Sequence, residues 1–414
     1  MKGTLMRKFC WVPLIAAFVA CATTQVNTAV PTHGVAYRGG MWFDGSKFAA
    51  KTMYVVDGVL RTRAPTQVDS TVDLAGGYVV PPFADAHHHF TDPRIDQTTR
   101  TQLAAGVFYV KDHGNSPLFR RLIDPALNRP TSVDFISANQ GWTAPSGHPV
   151  EVIKRGLAMG PPIADMIRDS LDPGLVNQVA SVADIDRRWS YFLGGKPDFV
   201  KVFLFRSDDS ALRANPAAEG RFGIDPARVR EIVQRRGAGG LEVSAHVFTS
   251  VDFRNAVNGG VQLIAHLPGG RGPDSIFMLT EADAKAARQR GVTVITTVVQ
   301  HEDSALLERL LKTQYANNIN LLRRHGVPLL IGSDLMGRTA AIEIAPLAHS
   351  GLFTNLELLR MWSVTTPRAI FPKRRIGELR DGYEASFLVL RADPLKDIEA
   401  TRAIALRVKQ GVRL

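Results

Sequence analysis

The sequence predicts an α/β protein: a TIM-type (β/α)8 barrel with a small β-sandwich domain built from both chain ends. Two observations support this prediction. Eight short apolar runs, most of them followed by a longer amphipathic segment, lie between residues 81 and 371. Short pieces rich in Val and Tyr, punctuated by Asp-Gly and Gly-Gly turns, flank that region on both sides. Alternating strands and helices favour a parallel sheet or barrel, and the turn pattern is typical of hairpins.

The eight apolar runs resemble parallel strands, because strands covered on both faces are apolar along almost their whole length. The first run leads into the triplet His87-His88-His89. The other seven cover residues 106–114, 132–141, 198–205, 241–248, 261–269, 291–299 and 327–334. Eight βα units over roughly 290 residues match a TIM barrel. The predicted domains are therefore a barrel over 81–371 and a composite β-sandwich from 34–80 and 372–414.

The first 21 residues are typical of an export signal. A positively charged start, MKGTLMRK, precedes the apolar stretch FCWVPLIAAFVA and then Cys21. That stretch is too short to span a bilayer stably and suits a signal peptide. The sequence FVAC is similar to the bacterial lipobox, with Phe18 where Leu is usual. We therefore expect lipidation of Cys21, a linker over 22–33 and a lipid-anchored protein of the periplasm or cell envelope. Ordinary cleavage nearby, with Cys21 incidental, is the alternative.

Charge and cysteine content restrict the partners. A net charge of +11 could attract nucleic acid or anionic lipid. However, Lys and Arg are scattered along the chain and no nucleic-acid-binding motif is present. We therefore expect a small-molecule substrate, no nucleic acid, and membrane contact only through the N-terminal anchor. The two cysteines, Cys10 and Cys21, lie in the predicted signal, so any metal must be held by nitrogen and oxygen ligands.

Polar residues stand near the carboxyl ends of five of the predicted strands, and this face carries the active site in TIM barrels. They are His87, His89, Lys201, His246, His266 and Asp334. His87 and His89 are two apart on an extended strand and share one face, whereas His88 points away. Each residue alone could be a core histidine, a snorkelling lysine or a helix cap. Together they predict a metal site.

This constellation resembles the amidohydrolase superfamily, in its binuclear type with a carboxylated lysine. The stretches PPFADAHHH and RIGELRDGYEASFLVLRADPL resemble the opening and closing motifs of that superfamily. Phe83 stands where Gly is usual, and Ser386 stands where Asp is usual. The resemblance implies two divalent metals, bridged by a CO2-derived carbamate on Lys201. One metal would be held by His87, His89 and Asp334, the other by His246 and His266. Zinc suits such ligands, with manganese, cobalt and iron as alternatives.

The resemblance further implies a hydrolase that cleaves the amide bond of a dipeptide, an N-acyl amino acid or a cyclic amide, and the predicted signal implies that this hydrolase is exported. A metal-bridged hydroxide would attack the carbonyl, and Asp334 would carry the proton to the leaving amine. A lactonase or phosphotriesterase-like ester hydrolase could use the same site, and a non-catalytic surface lipoprotein is the third alternative. A deaminase is disfavoured, because no Glu follows His246 at the usual spacing.

The loop GWTAPSGHP (141–149) is similar to a substrate loop of prolidase-like and imidazolonepropionase-like members. That similarity implies that His148 contacts the substrate, although Ser146 replaces a Gly of the motif. Phe248 stands where prolidase-like members often have a second His. Trp142 and Phe248 could line an apolar pocket or pack in the core. His113, after the second strand, is expected only to orient its loop.

Overall fold

The computed structural model describes residues 33–90, 94–158, 176–236, 240–300 and 303–414. The predicted export signal (1–21), with Cys21, and all but the last residue of the predicted linker (22–33) lie outside the described residues. Within the described ranges, no helix has the length and apolar character needed to cross a membrane.

The described secondary structure follows the predicted order of strands, then alternating strands and helices, then strands. The strands are β1 (His33–Phe43), β2 (Phe48–Val56), β3 (Val59–Arg61), β4 (Gln67–Asp73), β5 (Tyr78–Val80), β6 (Phe83–His88), β7 (Val107–Asp112), β8 (Asp134–Ser137), β9 (Gly141–Thr143), β10 (Val176–Gln178), β11 (Val200–Phe203), β12 (Val243–His246), β13 (Leu263–Ile264), β14 (Thr293–Ile295), β15 (Leu329–Leu330), β16 (Phe387–Leu390), β17 (Ile404–Lys409) and β18 (Val412–Arg413). The α-helices are α1 (Ile95–Ala104), α2 (Pro117–Ile123), α3 (Val150–Ala158), α4 (Val182–Gly194), α5 (Ser210–Ala214), α6 (Pro226–Arg235), α7 (Ser250–Asn258), α8 (Glu281–Gln289), α9 (Ser304–Lys312), α10 (Gln314–Arg324), α11 (Ala341–His349), α12 (Asn355–Arg360) and α13 (Thr366–Ile370).

The two chain ends form one sheet, with strand order β18-β17-β16-β5-β1-β2-β3 and β4 paired to β1. The β2–β3 hairpin turns at Asp57-Gly58, and both residues have positive φ (49° and 72°). A two-residue turn of this hand matches the right-handed twist of the strands better than its mirror image, which explains the Asp-Gly pair. The prediction that both chain ends build a common sheet is therefore met by the observed pairing.

Aromatic side chains from both chain ends pack into the core of this sheet. Tyr37 of β1 contacts Phe387 of β16 edge to face, with ring centroids 5.0 Å apart. Trp42 contacts the same ring at 5.3 Å. All three side chains are fully buried, so the sheet folds only when the first and last parts of the chain meet.

The predicted strands of the central region are present and pair in parallel. One group has the order β6-β7-β8, and the other has the order β10-β9-β11-β12-β13-β14-β15. Every residue of β6, β7 and β11 is buried, as expected for strands covered on both faces. Each predicted apolar run contains one of these strands.

Backbone hydrogen bonds join the two groups of strands at two places. The amide of Ala86 in β6 donates to the carbonyl of Ile331, just after β15, at 2.9 Å. The amide of Asp198, before β11, donates to the carbonyl of Ser137 in β8 at 2.8 Å. The first and last strands of the series are therefore neighbours, and this brings the ends of β6 and β15 to one place.

Local sequence fixes where several helices begin. Four helices begin with a Ser or Thr whose side chain accepts from the backbone amide three positions later, and the acidic side chain at that later position accepts from the backbone amide of the cap residue. The cap residues are Ser181, Thr249, Thr280 and Thr354. These capping boxes satisfy backbone amides that have no partner inside the helix. They start α4, α7, α8 and α12.

A group of charges, of which Asp134 and Lys409 are fully buried, connects the terminal sheet to β8, and we call it the ion-pair network (Asp134, Arg374, Glu384, Lys409). The Lys409 ammonium lies 2.6 Å from one oxygen of Asp134, and Arg374 lies 2.7 Å from the other. Arg374 also pairs with Glu384 at 2.6 Å. Two cations therefore face two carboxylates at the end where β8 begins.

Candidate metal centre

The carboxyl ends of β6 and β15 bring two histidines and a carboxylate together. Nε2 of His87 lies 3.1 Å from Oδ1 of Asp334, and Nε2 of His89 lies 2.9 Å from the same oxygen. One ligand atom from each of the three residues lies within 4.8 Å of the others. The three residues could hold a metal ion, and they are three of the residues named as ligands from the sequence.

The hydrogen bonds of His87 show that a cation fits here. Its Nδ1 lies 3.0 Å from the carbonyl oxygen of Ala265, which can only accept, so Nδ1 carries the hydrogen. Burial lowers the pKa of His87 to about 4, so the ring is neutral near pH 7. Its Nε2 then presents a lone pair to an oxygen of Asp334. Two acceptors that face each other need a cation between them.

Asp334 is held in a strained backbone conformation. Its φ is +55°, which is uncommon for a residue other than glycine and is often found at functional sites. Its amide donates to the carbonyl of His87 at 2.7 Å. A Cβ at Gly332 would lie 2.8 Å from the His87 nitrogen, so only glycine lets the two chain segments approach this closely. The glycine of the Gly-Ser-Asp sequence thus places the carboxylate.

Asp85 also connects the segment of His87 to the segment of Asp334. It is fully buried and accepts from the Ser333 hydroxyl at 2.6 Å, the Ser333 amide at 3.0 Å and the His87 amide at 3.1 Å. These bonds fix both neighbours of the site, since Ser333 precedes Asp334. Burial raises the pKa of Asp85, and its donors oppose that shift.

His246 and His266 form a second pair of imidazoles beside the first three residues. Their ring centroids are 4.5 Å apart, and Nδ1 of His266 lies 3.7 Å from Oδ2 of Asp334. Burial holds the pKa of both rings well below the usual range. Nε2 of His246 is buried and has no hydrogen-bond partner among the described residues. A buried polar atom without a partner is costly, and a metal ion bound at this nitrogen would supply one.

Lys201 lies on β11 with its side chain buried among imidazoles. Its Nζ is 3.2 Å from Nδ1 of His113, and burial lowers the pKa of the amine to about 7. Nε2 of His113 lies 2.9 Å from the Ala86 carbonyl and carries the hydrogen, so Nδ1 accepts from Lys201. The amine therefore has one fixed acceptor. We call His87, His89, Lys201, His246, His266 and Asp334 the ligand cluster.

His113 has a larger part in the site than its sequence position indicates. Its ring stacks on His87 with centroids 3.9 Å apart, and it contacts Lys201 directly. The expectation that it orients only a loop is too narrow. The signal was available, because His113 follows a strand end as the other histidines do. Thr297, whose hydroxyl lies 3.0 Å from Nδ1 of His266, carried no such signal.

The structure also places His88 and Trp142, for which the sequence predicted a side chain turned away from the site and either a pocket or a core position. His88 points away from the cluster, and its Nε2 lies 3.0 Å from the Arg338 carbonyl. Trp142 is fully buried and packs on Trp189 and Phe192 of α4, so it belongs to the core.

His148 lies at the edge of the cluster and is oriented by a carboxylate. Its Nδ1 is 2.7 Å from Oε1 of Glu151, so Nδ1 carries the hydrogen and Nε2 is left as the free nitrogen. Its ring centroid is 4.8 Å from that of His246. The structure thus brings His148 beside the ligand cluster, within reach of a molecule bound there.

Comparisons with known proteins agree with this geometry. A model of the amidohydrolase family matches residues 196–412. An uncharacterized protein of Mycobacterium tuberculosis is 31% identical over 159 residues, which is 34% of this chain and 25% of the relative. The ochratoxinase of Aspergillus niger is 24% identical over 190 residues, 42% of this chain and 38% of the relative. The chain thus spans between a quarter and two fifths of these relatives.

Solved structures share the fold over nearly the whole chain. The crystal structure of the A. niger ochratoxinase has a TM-score of 0.71 at 17% identity, covering 92% of this chain and 96% of that one. A prolidase in complex with N-methylphosphonate-L-proline has a TM-score of 0.69 at 17% identity, covering 92% and 99%. At this level of identity the likeness concerns the fold alone.

Proposed function

The chain belongs to the amidohydrolase family, and we propose that it is a metal-dependent hydrolase that cleaves an amide bond in a small molecule. The observation that carries this proposal is the convergence of His87, His89 and Asp334, in which the free ring nitrogen of His87 faces an oxygen of Asp334. The substrate would be a dipeptide, an N-acyl amino acid or a cyclic amide.

The ligand cluster would hold two divalent metals. His87, His89 and Asp334 would bind one, and His246 and His266 would bind the other. Imidazole and carboxylate donors without thiolate suit zinc. When bound, such metals supply an activated water and polarise the carbonyl of the substrate.

Lys201 would join the two metals after reaction with CO2. The neutral amine is the nucleophile for this step: its nitrogen bonds to carbon, one N–H proton is lost, and an anionic carbamate forms. A pKa of about 7 leaves a substantial neutral fraction near pH 7. The acceptor on His113 would keep the nitrogen in place.

Asp334 would carry the proton during cleavage. The facing imidazoles of His87 and His266 hold its pKa well below the usual range despite burial, so it begins as a carboxylate. It can accept the proton of the attacking water and pass it to the amine, which leaves as a neutral molecule. His148, oriented by Glu151, would bind the carbonyl or carboxylate of the substrate.

We also propose the finer architecture and location. Residues 81–371 would form a closed eight-stranded barrel, and 34–80 with 372–414 a β-sandwich. The bond from Ala86 to Ile331 supports closure, and slow hydrogen exchange at the Ala86 amide would test it. Export through residues 1–21 and a lipid anchor at Cys21 would place the enzyme in the cell envelope. Labelling with a palmitate analogue, absent in Cys21→Ser, would test the anchor.

Amine release is the measurement that tests the proposed reaction. The mature protein, loaded with zinc in bicarbonate, would be screened against dipeptides and N-acyl amino acids, with Asp334→Asn as control. We expect release by the wild type that the variant lacks. If metal binds and only lactones or other esters are cleaved, the site is that of an ester hydrolase. If nothing is cleaved, amide hydrolysis is wrong for these substrate classes.

A further inference from the structure

Two aromatic residues, Phe205 and Phe248, come after Lys201 and His246 along two neighbouring strands. In each strand, every second side chain lies on the same side, and we call such a series a row. Phe203 and His246 are register partners in the parallel pair β11–β12. Side chains two apart in a strand share a face, so Lys201 and Phe203 lie on the same side. The next residues of these two rows are Phe205 and Phe248, beyond the carboxyl ends of the strands. The rows therefore lead from the ligand cluster towards the open end of the barrel strands.

Phe205 and Phe248 stack on each other, with centroids 4.4 Å apart and ring planes 13° apart, and we call them the aromatic pair. Phe277 supports Phe248 edge to face at 5.2 Å. Phe205 lies against the His148 ring at 5.2 Å and the His246 ring at 5.8 Å. The aromatic pair is thus held rigidly between the substrate-loop histidine and a residue of the ligand cluster.

The aromatic pair is only half-buried, although both residues are large and apolar. Water next to such rings is unfavourable, so a ligand that covers them gains free energy from their burial. Near-parallel rings offer a flat apolar surface and do not surround a cation as an aromatic cage would. A planar ring can pack on this surface offset or edge to face.

We propose that the aromatic pair binds an aromatic ring of the substrate and makes the enzyme selective for amides that carry one. This inference rests on the proposed amide hydrolysis and adds the substrate class. Phe248 follows the proposed metal ligand His246 by two positions on the same row of side chains. An apolar contact with Phe248 would therefore lie close to the reacting bond. The ring could belong to the acyl side or to the amine side.

Matched substrates would test the inference. One pair is N-acetyl-L-phenylalanine and N-acetyl-L-cyclohexylalanine, and the other is N-benzoylglycine and N-cyclohexanecarbonylglycine. We expect kcat/KM to favour the phenyl member of at least one pair by about three- to tenfold, the range of an aromatic contact. Phe205→Leu and Phe248→Leu should abolish that preference. Equal rates for both members of both pairs in the wild type would overturn the inference, even if a variant did not fold.

Phe353→Leu is the matched control. Phe353 packs on Arg323, which lies in the last turn of α10. This contact is at the amino end of β15, whereas the ligand cluster is at the carboxyl ends of the strands. Phe353→Leu should keep the phenyl preference. If no amide is cleaved, calorimetric binding of 3-phenylpropanoate against 3-cyclohexylpropanoate separates the two ideas. Tighter binding of the phenyl acid, lost in Phe248→Leu, would support the aromatic pair while the proposed reaction fails. Equal binding would overturn both.

Discussion

The ion-pair network and the ligand cluster are both buried and polar, but only the first is complete by itself. In the network, Lys409 and Arg374 each lie within 2.7 Å of a carboxylate oxygen of Asp134. The ligand cluster contains one carboxylate, one amine and four imidazoles. The His87 ring turns a lone pair towards that carboxylate. A network of matched charges stabilises the fold, whereas acceptors that face each other require a ligand.

The positions of the two groups along the strands agree with this difference. Asp134 begins β8, and Asp334 follows the end of β15. In TIM barrels, the end where strands begin serves stability and the opposite end carries the chemistry, and we expect the same division between these two strand ends. A substitution in the ion-pair network should therefore lower stability and spare activity, whereas an equivalent substitution in the ligand cluster should lower activity and spare stability.

The largest effect is expected for the two aspartates. Asp334→Asn should lower kcat by about 10²–10⁴-fold, because the amide cannot carry the proton, while the metals remain bound. Asp134→Asn should leave kcat nearly unchanged at low temperature. It should instead cost about 3–5 kcal/mol of unfolding free energy, because it leaves the buried Lys409 ammonium without its carboxylate partner. Steady-state kinetics, metal analysis and urea unfolding measure these outcomes. Near-normal turnover in Asp334→Asn would remove its proton-carrying role.

The two buried lysines offer a second contrast. Lys409→Met should cost up to about 3–5 kcal/mol, since it removes one of the two cations that compensate the buried Asp134 carboxylate. Lys201→Met should leave the metal-free chain as stable as the wild type or more so, because it replaces a desolvated amine by an apolar side chain of similar length. Its metal content should fall below two per chain.

Short carboxylic acids provide the control for the second lysine. In Lys201→Ala, an added acid can occupy the place of the carbamate, so metal content should partly recover. Two metals bound to Lys201→Ala without any acid would contradict the carbamate bridge.

The sequence could predict which residues lie at strand ends but not which atoms they contact. Alternating apolar runs placed His87, His246 and Asp334 on one face, and their types indicated a metal. The contact between Lys201 and His113 depends on how neighbouring strands are staggered, which no local pattern records. The pairing of Asp134 with Lys409 joins residues 275 positions apart and depends on how the terminal sheet packs. The assignment of individual ligands to individual metals stays a prediction.

Glu343 is a buried carboxyl of a third kind, because its hydrogen-bond donors are neutral groups and not cations. It accepts from the Thr296 hydroxyl at 2.5 Å and the amides of Val298 and Val299 at 2.8 and 3.0 Å. Burial raises the pKa of Glu343 from 4.5 to about 7. Between these values the folded chain holds a proton that the unfolded chain has lost. The free energy of unfolding should therefore fall by about 3 kcal/mol as the pH rises through this range.

Urea unfolding of the metal-free protein between pH 4.5 and 7.5 measures this fall. Glu343→Gln, which cannot titrate, should flatten the curve by that amount. Glu308→Gln, at an exposed glutamate paired with Lys312 on α9, is the matched control and should keep the wild-type slope. Parallel curves for the wild type and Glu343→Gln would contradict the raised pKa.

The smallest effect is expected at His113, which stacks on His87 and accepts a hydrogen bond from Lys201. His113→Phe keeps the ring that stacks on His87 but removes the nitrogen that accepts from Lys201. Partners of metal ligands typically contribute 10–100-fold to metal affinity, so competition with a chelator should show a loss of about that size. His113→Asn offers an acceptor oxygen near the place of Nδ1 and should lose less. A purely structural role for His113 would instead lower the unfolding free energy of both variants and leave the chelator competition of the folded protein unchanged.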